Sequence, residues 1–271
     1  MLTRLLKHEF RATARIFLPF YLVLILFALI NRFLSFEMLS RLESMTPPFG
    51  IAGAVGSLVL LLRLIYFILV AGVLVATLLV MIQRFNKNLF GDEGYLMLTL
   101  PVPLWQHIVS KLITATVWVI ASGLVTTGSI LLLSAKAAPW PRVWETLFAF
   151  RDIFGSAGLF LFPGAALLTL VSSILMIYAA IALGHLSPRY RLLASLAWYA
   201  VLSFALKALL LGISMALFLS QTWSIDFADI AADPTRINLI IAWFWLLPTA
   251  ILSGCFFFIT NHILNRRLNL E

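Results

Sequence analysis

The side chains that could do chemistry in this sequence are its histidines and one lysine inside an apolar run. The histidines are His8, His107, His185 and His262. None has the acidic residue or second histidine one helical turn away that an intramembrane metalloprotease site requires. Lys207 lies within the apolar segment 192–218, which contains no carboxylate to pair with it. We predict no catalytic and no metal-binding residues, and we expect Lys207 either to border a substrate pathway or to be a packed or snorkelling lysine.

The sequence also lacks common motifs for nucleotide binding and for hydrolysis. The P-loop pattern G-x-x-x-x-G-K-[ST] does not occur, and neither does a nucleophile elbow or H-E-x-x-H. No polar stretch is long enough for a soluble catalytic domain, which usually needs at least about 50 residues. We therefore expect any soluble activity, including ATP hydrolysis, to come from another chain.

One stretch, 83–111, carries charges, glycines and prolines between two long apolar runs. Asp92 can cap a short helix on which Tyr95 and Leu98 share one face, and Pro101 ends that helix before the next apolar run. An exposed apolar face rimmed by charge usually marks a contact surface. The predicted contact residues are Gly91, Asp92, Glu93, Gly94, Tyr95, Leu98 and Pro101.

The composition is that of a membrane protein. Hydrophobic residues make up 62% of the 271 and charged residues 11%, and the mean hydropathy is +1.05. An ordinary soluble domain has roughly 45–50% apolar and about 25% charged residues. The net charge of +8 is more typical of membrane orientation and contact with anionic lipid than of nucleic-acid binding.

Six segments are apolar over the roughly 20 residues that a helix needs to cross a bilayer. They are 16–36, 63–82, 108–133, 158–186, 192–218 and 237–260. The second is preceded by apolar sequence at 51–62, so its beginning is open. We predict an all-α polytopic membrane protein that forms one transmembrane domain over 1–271, with a loop at 83–107 that includes a short helix.

The distribution of positive charge predicts the orientation of the spans. Eleven Lys and Arg residues fall in the segments on the amino-terminal side of the membrane and six in the segments on the other side. The side with more Lys and Arg is usually cytoplasmic. We therefore expect both termini and the 83–107 loop in the cytoplasm.

The first residues of the chain have the helical period with a basic face. Arg4, Lys7 and Arg11 form one stripe, and apolar residues including Phe10 form another. Such a helix lies in the headgroup plane. We predict an amphipathic interfacial helix before the first span, which either anchors the chain or also touches a partner.

These features resemble the type-two ABC exporter permeases, in particular the short permeases encoded beside a separate ATPase. Those proteins have a basic interfacial amino-terminal helix and six spans. Between the second and third spans they carry an acidic-Gly motif, Leu-rich sequence, a Pro, and a Lys that leads the next span. Here the corresponding residues are Asp92-Glu93-Gly94-Tyr95-Leu96, Leu98-Thr99-Leu100-Pro101-Val102 and Ser110-Lys111-Leu112.

The resemblance implies a permease with a cytoplasmic coupling helix that seats in a groove of an ATP-binding subunit. Asp92 and Glu93 would meet basic residues of that subunit, while Tyr95 and Leu98 would fill the groove. The partner would bind ATP and Mg²⁺, this chain would hold no cofactor, and a second copy or a related permease would complete the complex. The expected location is a bacterial plasma membrane.

Two alternatives to an exporter permease stay open from the sequence. One is an intramembrane enzyme, which the absent histidine and carboxylate constellation disfavours. The other is a membrane scaffold or sensor subunit that does not transport. Peptides, lipids, drugs and glycans all stay open as substrates of the exporter.

Overall fold

The computed structural model describes residues 2–44, 49–90, 103–134, 140–187, 189–219 and 234–266. Within these ranges the chain forms six α-helices and no strand. The helices are α1 (Leu2–Ser44), α2 (Phe49–Phe90), α3 (Leu104–Ser134), α4 (Trp140–Gly184), α5 (Arg191–Leu219) and α6 (Pro234–Arg266).

Each of the six helices contains a stretch long and apolar enough to cross a membrane. Helices suit this setting because a bilayer offers no water to backbone N–H and C=O groups, so each segment must satisfy its own. The prediction of a helical protein with six spans is confirmed, and the chain is a multi-pass membrane protein. Most helices exceed the predicted spans: α2, for example, continues from the span 63–82 through the apolar residues 51–62. The span predicted over 158–186 instead ends two residues earlier, because α4 ends at Gly184.

The amino-terminal segment is not set apart from the first span. Helix α1 runs unbroken from Leu2 to Ser44 and contains Pro19. A proline inside a helix removes one backbone hydrogen bond and can kink the helix without ending it. The distinct interfacial helix predicted before the first span therefore stays a prediction.

The described residues fall into two compact units. The first comprises Met1–Gln83 and Ile113–Trp140. Its core is a cluster of buried residues in which the Trp118 ring stacks on Phe17, with ring centroids 4.7 Å apart and planes 24° apart. The other members of the cluster are Tyr21, Leu24, Ala28, Tyr66 and Val73.

Buried hydroxyl groups join the helices of this first unit. The Tyr21 hydroxyl lies 2.6 Å from Ser122 Oγ, and Thr77 Oγ1 lies 2.8 Å from the same Ser122 oxygen. The Tyr66 hydroxyl lies 2.7 Å from Ser129 Oγ. These pairs connect α1 and α2 to α3, and they add to the hydrogen bonds that Tyr21, Thr77 and Ser129 make with backbone carbonyls.

The second unit comprises Arg84–Leu112 and Pro141–Glu271. Its core lies along α4, where nearly all side chains in 174–182 are buried. Phe256, Ile263 and Leu264 of α6 are also buried. A helix that is apolar on all sides, as α4 is here, can be covered from several directions at once.

Helix α4 changes direction near its beginning. Gly155 has φ 71° and ψ 174°, so α4 consists of two helical segments on either side of this residue. A backbone angle in that region is accessible essentially to glycine alone. Phe150, Phe154 and Phe162 pack together across the break, with ring centroids between 4.4 and 5.7 Å apart.

The shared hydroxyl of Ser122 gives a test of the first unit. Ser122→Ala removes one hydrogen-bond partner from each of Tyr21 and Thr77, and interhelical bonds of this kind contribute about 0.6 kcal/mol each on average. We expect the free energy of unfolding in mixed micelles to fall by about 1 kcal/mol. The matched control is Ser173→Ala, because the Ser173 hydroxyl donates only to the carbonyl of Thr169 in its own helix. Equal effects of the two substitutions would contradict the assigned role of Ser122.

Candidate functional site

The candidate site is the pair of helix ends that border the predicted coupling residues. Helix α2 ends at Phe90 and α3 begins at Leu104. Gly91, Asp92, Glu93, Gly94, Tyr95, Leu98 and Pro101 lie between these ends, outside the described residues. The end of α2 from Arg84 onward and the beginning of α3 up to Leu112 belong to the second unit, as does nearly all of α4.

Tyr178 of α4 contacts both bordering helices. Its ring stacks on Phe85 of α2, with centroids 3.8 Å and planes 5° apart. Its hydroxyl donates a long hydrogen bond of 3.4 Å to the backbone carbonyl of Lys111 in α3. Tyr178, Phe85 and Lys111 are all buried. One side chain therefore links the end of α2 and the beginning of α3 to the same turn of α4.

A second aromatic contact lies at the very end of α2. The Phe90 ring stacks on His185, with centroids 4.1 Å and planes 21° apart. The His185 Nδ1 atom lies 2.9 Å from the carbonyl oxygen of Ile181. A carbonyl can only accept, so this hydrogen bond requires the proton on Nδ1. The ring is thereby oriented toward Phe90 by the last turn of α4.

The surroundings of His185 favour its neutral form. Burial lowers the pKa of the imidazole because the charged form loses solvation, and the positive charge of Arg191 lowers it further. The hydrogen bond to the Ile181 carbonyl acts in the opposite direction and raises the pKa, although burial is the largest effect. On balance, these surroundings favour the uncharged form of the ring that stacks on Phe90.

The first turns of α3 are buried although they contain polar residues. The Pro103 carbonyl accepts a hydrogen bond of 2.9 Å from the Gln106 amide, which opens the helix. His107, Ser110 and Lys111 then follow with almost no exposed surface. The Ser110 hydroxyl donates to the His107 carbonyl at 2.9 Å. One side of the beginning of α3 is thus buried in the second unit, while Trp105 is exposed.

The turn between α4 and α5 is equally tight. The Ser187 amide donates to the Gly184 carbonyl at 3.1 Å, and α5 begins a few residues later. A Cβ atom placed on Gly184 would lie 2.6 Å from the backbone nitrogen and 2.7 Å from the Cα of Ser195. Real Cβ atoms do not approach backbone atoms so closely, so the contact between α4 and α5 requires glycine here.

The amino-terminal residues singled out from the sequence lie in the first unit. Arg4, Lys7 and Arg11 are exposed, and Phe10 is half-buried against the Trp118 cluster. On the same helix, Thr13 is buried, and its hydroxyl accepts a hydrogen bond of 2.7 Å from Trp118 Nε1. Phe10 and Thr13 thus contact Trp118 of α3, while the role of Arg4, Lys7 and Arg11 in an amphipathic interfacial helix stays a prediction.

Lys207 lies in the second unit, on α5, with its side chain exposed. No side chain in the most apolar part of α5 is buried within the described structure. The structure therefore places Lys207 on the surface of this chain, away from the buried contacts that Tyr178 makes. Its role in a substrate pathway stays a prediction.

Sequence reasoning missed the residues that hold the bordering helices. Phe85, Phe90 and Tyr178 were not singled out, and His185 was considered only as a possible metal ligand. A weak signal was present, because two small residues, Ala179 and Ala180, directly follow Tyr178. Small neighbours leave room for an aromatic side chain from another helix, but they do not say which helix supplies it.

Comparison with protein-family models, with curated proteins and with solved structures finds no match to this chain. Among the described residues, no three His, Cys, Asp or Glu side chains converge as metal ligands would. What the described contacts provide is a physical link from the ends of α2 and α3 to α4 and the turn after it. Displacement of the residues between Phe90 and Leu104 would act on α4 through the contacts of Tyr178 and His185.

The close approach at Gly184 gives a test of this arrangement. Gly184→Ala forces a methyl group against the Ser195 backbone, and overpacking of a tight contact usually costs about 1–3 kcal/mol. We expect a corresponding drop in the free energy of unfolding in detergent. Gly164→Ala on the same helix is the control, because nothing lies within 4 Å of a Cβ atom there. A Gly184→Ala variant as stable as Gly164→Ala would show that α4 and α5 are not packed this closely.

Proposed function

We propose that this chain is the membrane-spanning permease subunit of an ATP-driven ABC exporter. The observation that carries the proposal is the attachment of both helices bordering residues 91–102 to one element, α4, through Tyr178. A segment that receives force from a partner must be fixed at both ends to the part that moves. The resemblance of 92–102 and 110–112 to the coupling region of type-two exporter permeases supports the same function.

The coupling residues would form the contact with the ATP-binding subunit. Asp92 and Glu93 would pair with basic residues of that subunit, while Tyr95 and Leu98 would fill a groove on its surface. ATP and Mg²⁺ would be bound by the partner. Because this chain has no P-loop, all the energy for transport would enter through this contact.

Nucleotide-driven closure of two ATP-binding subunits would move the segment between Phe90 and Leu104. Phe85 and Phe90 at the end of α2 are stacked on Tyr178 and His185, so that movement would reach α4 directly. Closely packed aromatic contacts move as a body because they resist continuous deformation. The permease would in this way change between an inward-open and an outward-facing state.

Other parts of the chain would supply the remaining contacts of the complex. The exposed cations Arg4, Lys7 and Arg11 would face anionic lipid headgroups or the ATP-binding subunit. A second copy of the chain or a related permease would complete the pathway, which Lys207 would border. Both termini would lie in the cytoplasm of a bacterial cell.

Charge reversal in the coupling segment tests the proposed function. Glu93→Lys combined with Tyr95→Ala replaces an attractive contact with a repulsive one and empties the groove, so both transport and co-purification of the ATP-binding subunit should fall at least about tenfold. Glu145→Lys is the control, because it reverses an exposed charge on α4 outside the coupling segment. Undiminished transport and co-purification in the double variant would overturn the proposal.

A further inference from the structure

Helix α5 presents a continuous apolar face that contains one positive charge. Leu193, Phe204 and Leu211 are among its most exposed side chains, at 63%, 75% and 71% of their full accessible surface. Lys207 is exposed between the last two of these. Residues three, four, seven and eleven apart share one side of a helix, so these four residues form a single stripe, here named the Lys207 face.

Helix α5 contacts α4 within the second unit. Ser195 lies against Gly184 of α4. The Ser203 hydroxyl points to the sulfur of Met176 at 3.9 Å. Ser195 lies on the side of α5 opposite Leu193 and Leu211, whereas Ser203 lies one turn before Lys207 and borders its face. Helix α4 therefore reaches the edge of the Lys207 face but leaves Phe204, Lys207 and Leu211 exposed.

The position of Lys207 along α5 sets what can reach it. It lies 16 residues after Arg191 and 12 before Leu219, which correspond to about 24 Å and about 18 Å of helix. The hydrocarbon core is about 30 Å thick. With Arg191 at one interface, Lys207 is inside the leaflet at the Leu219 end, within a side chain's length of its headgroups. An ionised lysine at that depth requires an anion or water.

The spans of a second copy of this chain are a poor source of that anion. None of the six apolar segments from 16–36 to 237–260 contains Asp or Glu. A neighbouring copy could cover Leu193, Phe204 and Leu211, but its spans would bring no carboxylate to Lys207. An anionic phospholipid matches both parts of the face, because its acyl chains suit the apolar stripe and its phosphate suits the ammonium group.

We propose that the Lys207 face is a binding site for an anionic phospholipid of the leaflet at the Leu219 end of α5. The lipid's acyl chains lie along Phe204 and Leu193, and its headgroup is drawn to the Lys207 ammonium. The site selects net negative headgroups over zwitterionic ones, since the lysine is the one charged group of this face. This inference concerns the chain by itself and does not depend on its coupling to an ATPase.

Native mass spectrometry of the purified full-length chain tests the proposal. The probes are phosphatidylglycerol and phosphatidylcholine with identical acyl chains, added at equal concentration. We expect phosphatidylglycerol to be retained in preference. Lys207→Met should weaken phosphatidylglycerol binding about fivefold, the effect of one cation near an anionic headgroup, while Lys207→Arg should keep it. Arg151→Met is the control, because it removes an exposed charge outside the membrane-spanning part of α4.

Several results would overturn the proposal. Equal retention of the two lipids by the wild-type chain would show plain snorkelling without selectivity, even if a variant failed to fold. Unchanged phosphatidylglycerol binding in Lys207→Met would place the lipid elsewhere. A disulfide between two copies carrying Phe204→Cys, in a Cys255→Ser background, would assign the face to a second copy instead. The absence of that disulfide, with selective lipid binding, supports the lipid site.

Discussion

The contacts of Tyr178 determine how the second unit is organised. Its ring lies flat on Phe85, and its hydroxyl reaches the backbone of Lys111, so the end of α2 and the beginning of α3 are both held to α4. An aromatic pair of this kind contributes about 0.5–1.5 kcal/mol beyond the area that it buries. Small residues beside Tyr178 allow the close approach, and the turn at Gly184 then directs α5 back along α4.

The bilayer limits which interactions can hold the helices of the first unit together. Lipid tails are as apolar as leucine side chains, so burial alone gives little drive for helices to associate. Hydrogen bonds between buried hydroxyl groups supply part of what is missing, as in Tyr21, Ser122 and Thr77. Stacking of Trp118 on Phe17 supplies close packing. The same two kinds of contact, aromatic stacking and shared polar atoms, therefore recur in both units.

Much of the fold follows from the sequence, because each span is long, apolar and local. The six helices and the basic face of Arg4, Lys7 and Arg11 are features that such local patterns in the sequence predict. The contact of Phe85 with Tyr178 could not be predicted in this way, since it joins residues far apart in the chain. No local pattern indicates which aromatic side chains will meet. Lys207 is intermediate: its depth could be counted from the sequence, but the exposure of its face required the packing of α5 on α4.

The central claim is that residues 91–102 contact an ATP-hydrolysing subunit while their borders stay fixed to α4. Site-specific photo-crosslinking tests it most directly, with a photoreactive phenylalanine analogue at Leu98 in native membranes and the same analogue at the exposed Phe148 of α4 as the comparison position. The account predicts that the product from Leu98 contains an ATP-binding subunit with its own P-loop and that the product from Phe148 does not. Crosslinking of Leu98 only to lipid, or to proteins that bind no ATP, would contradict it.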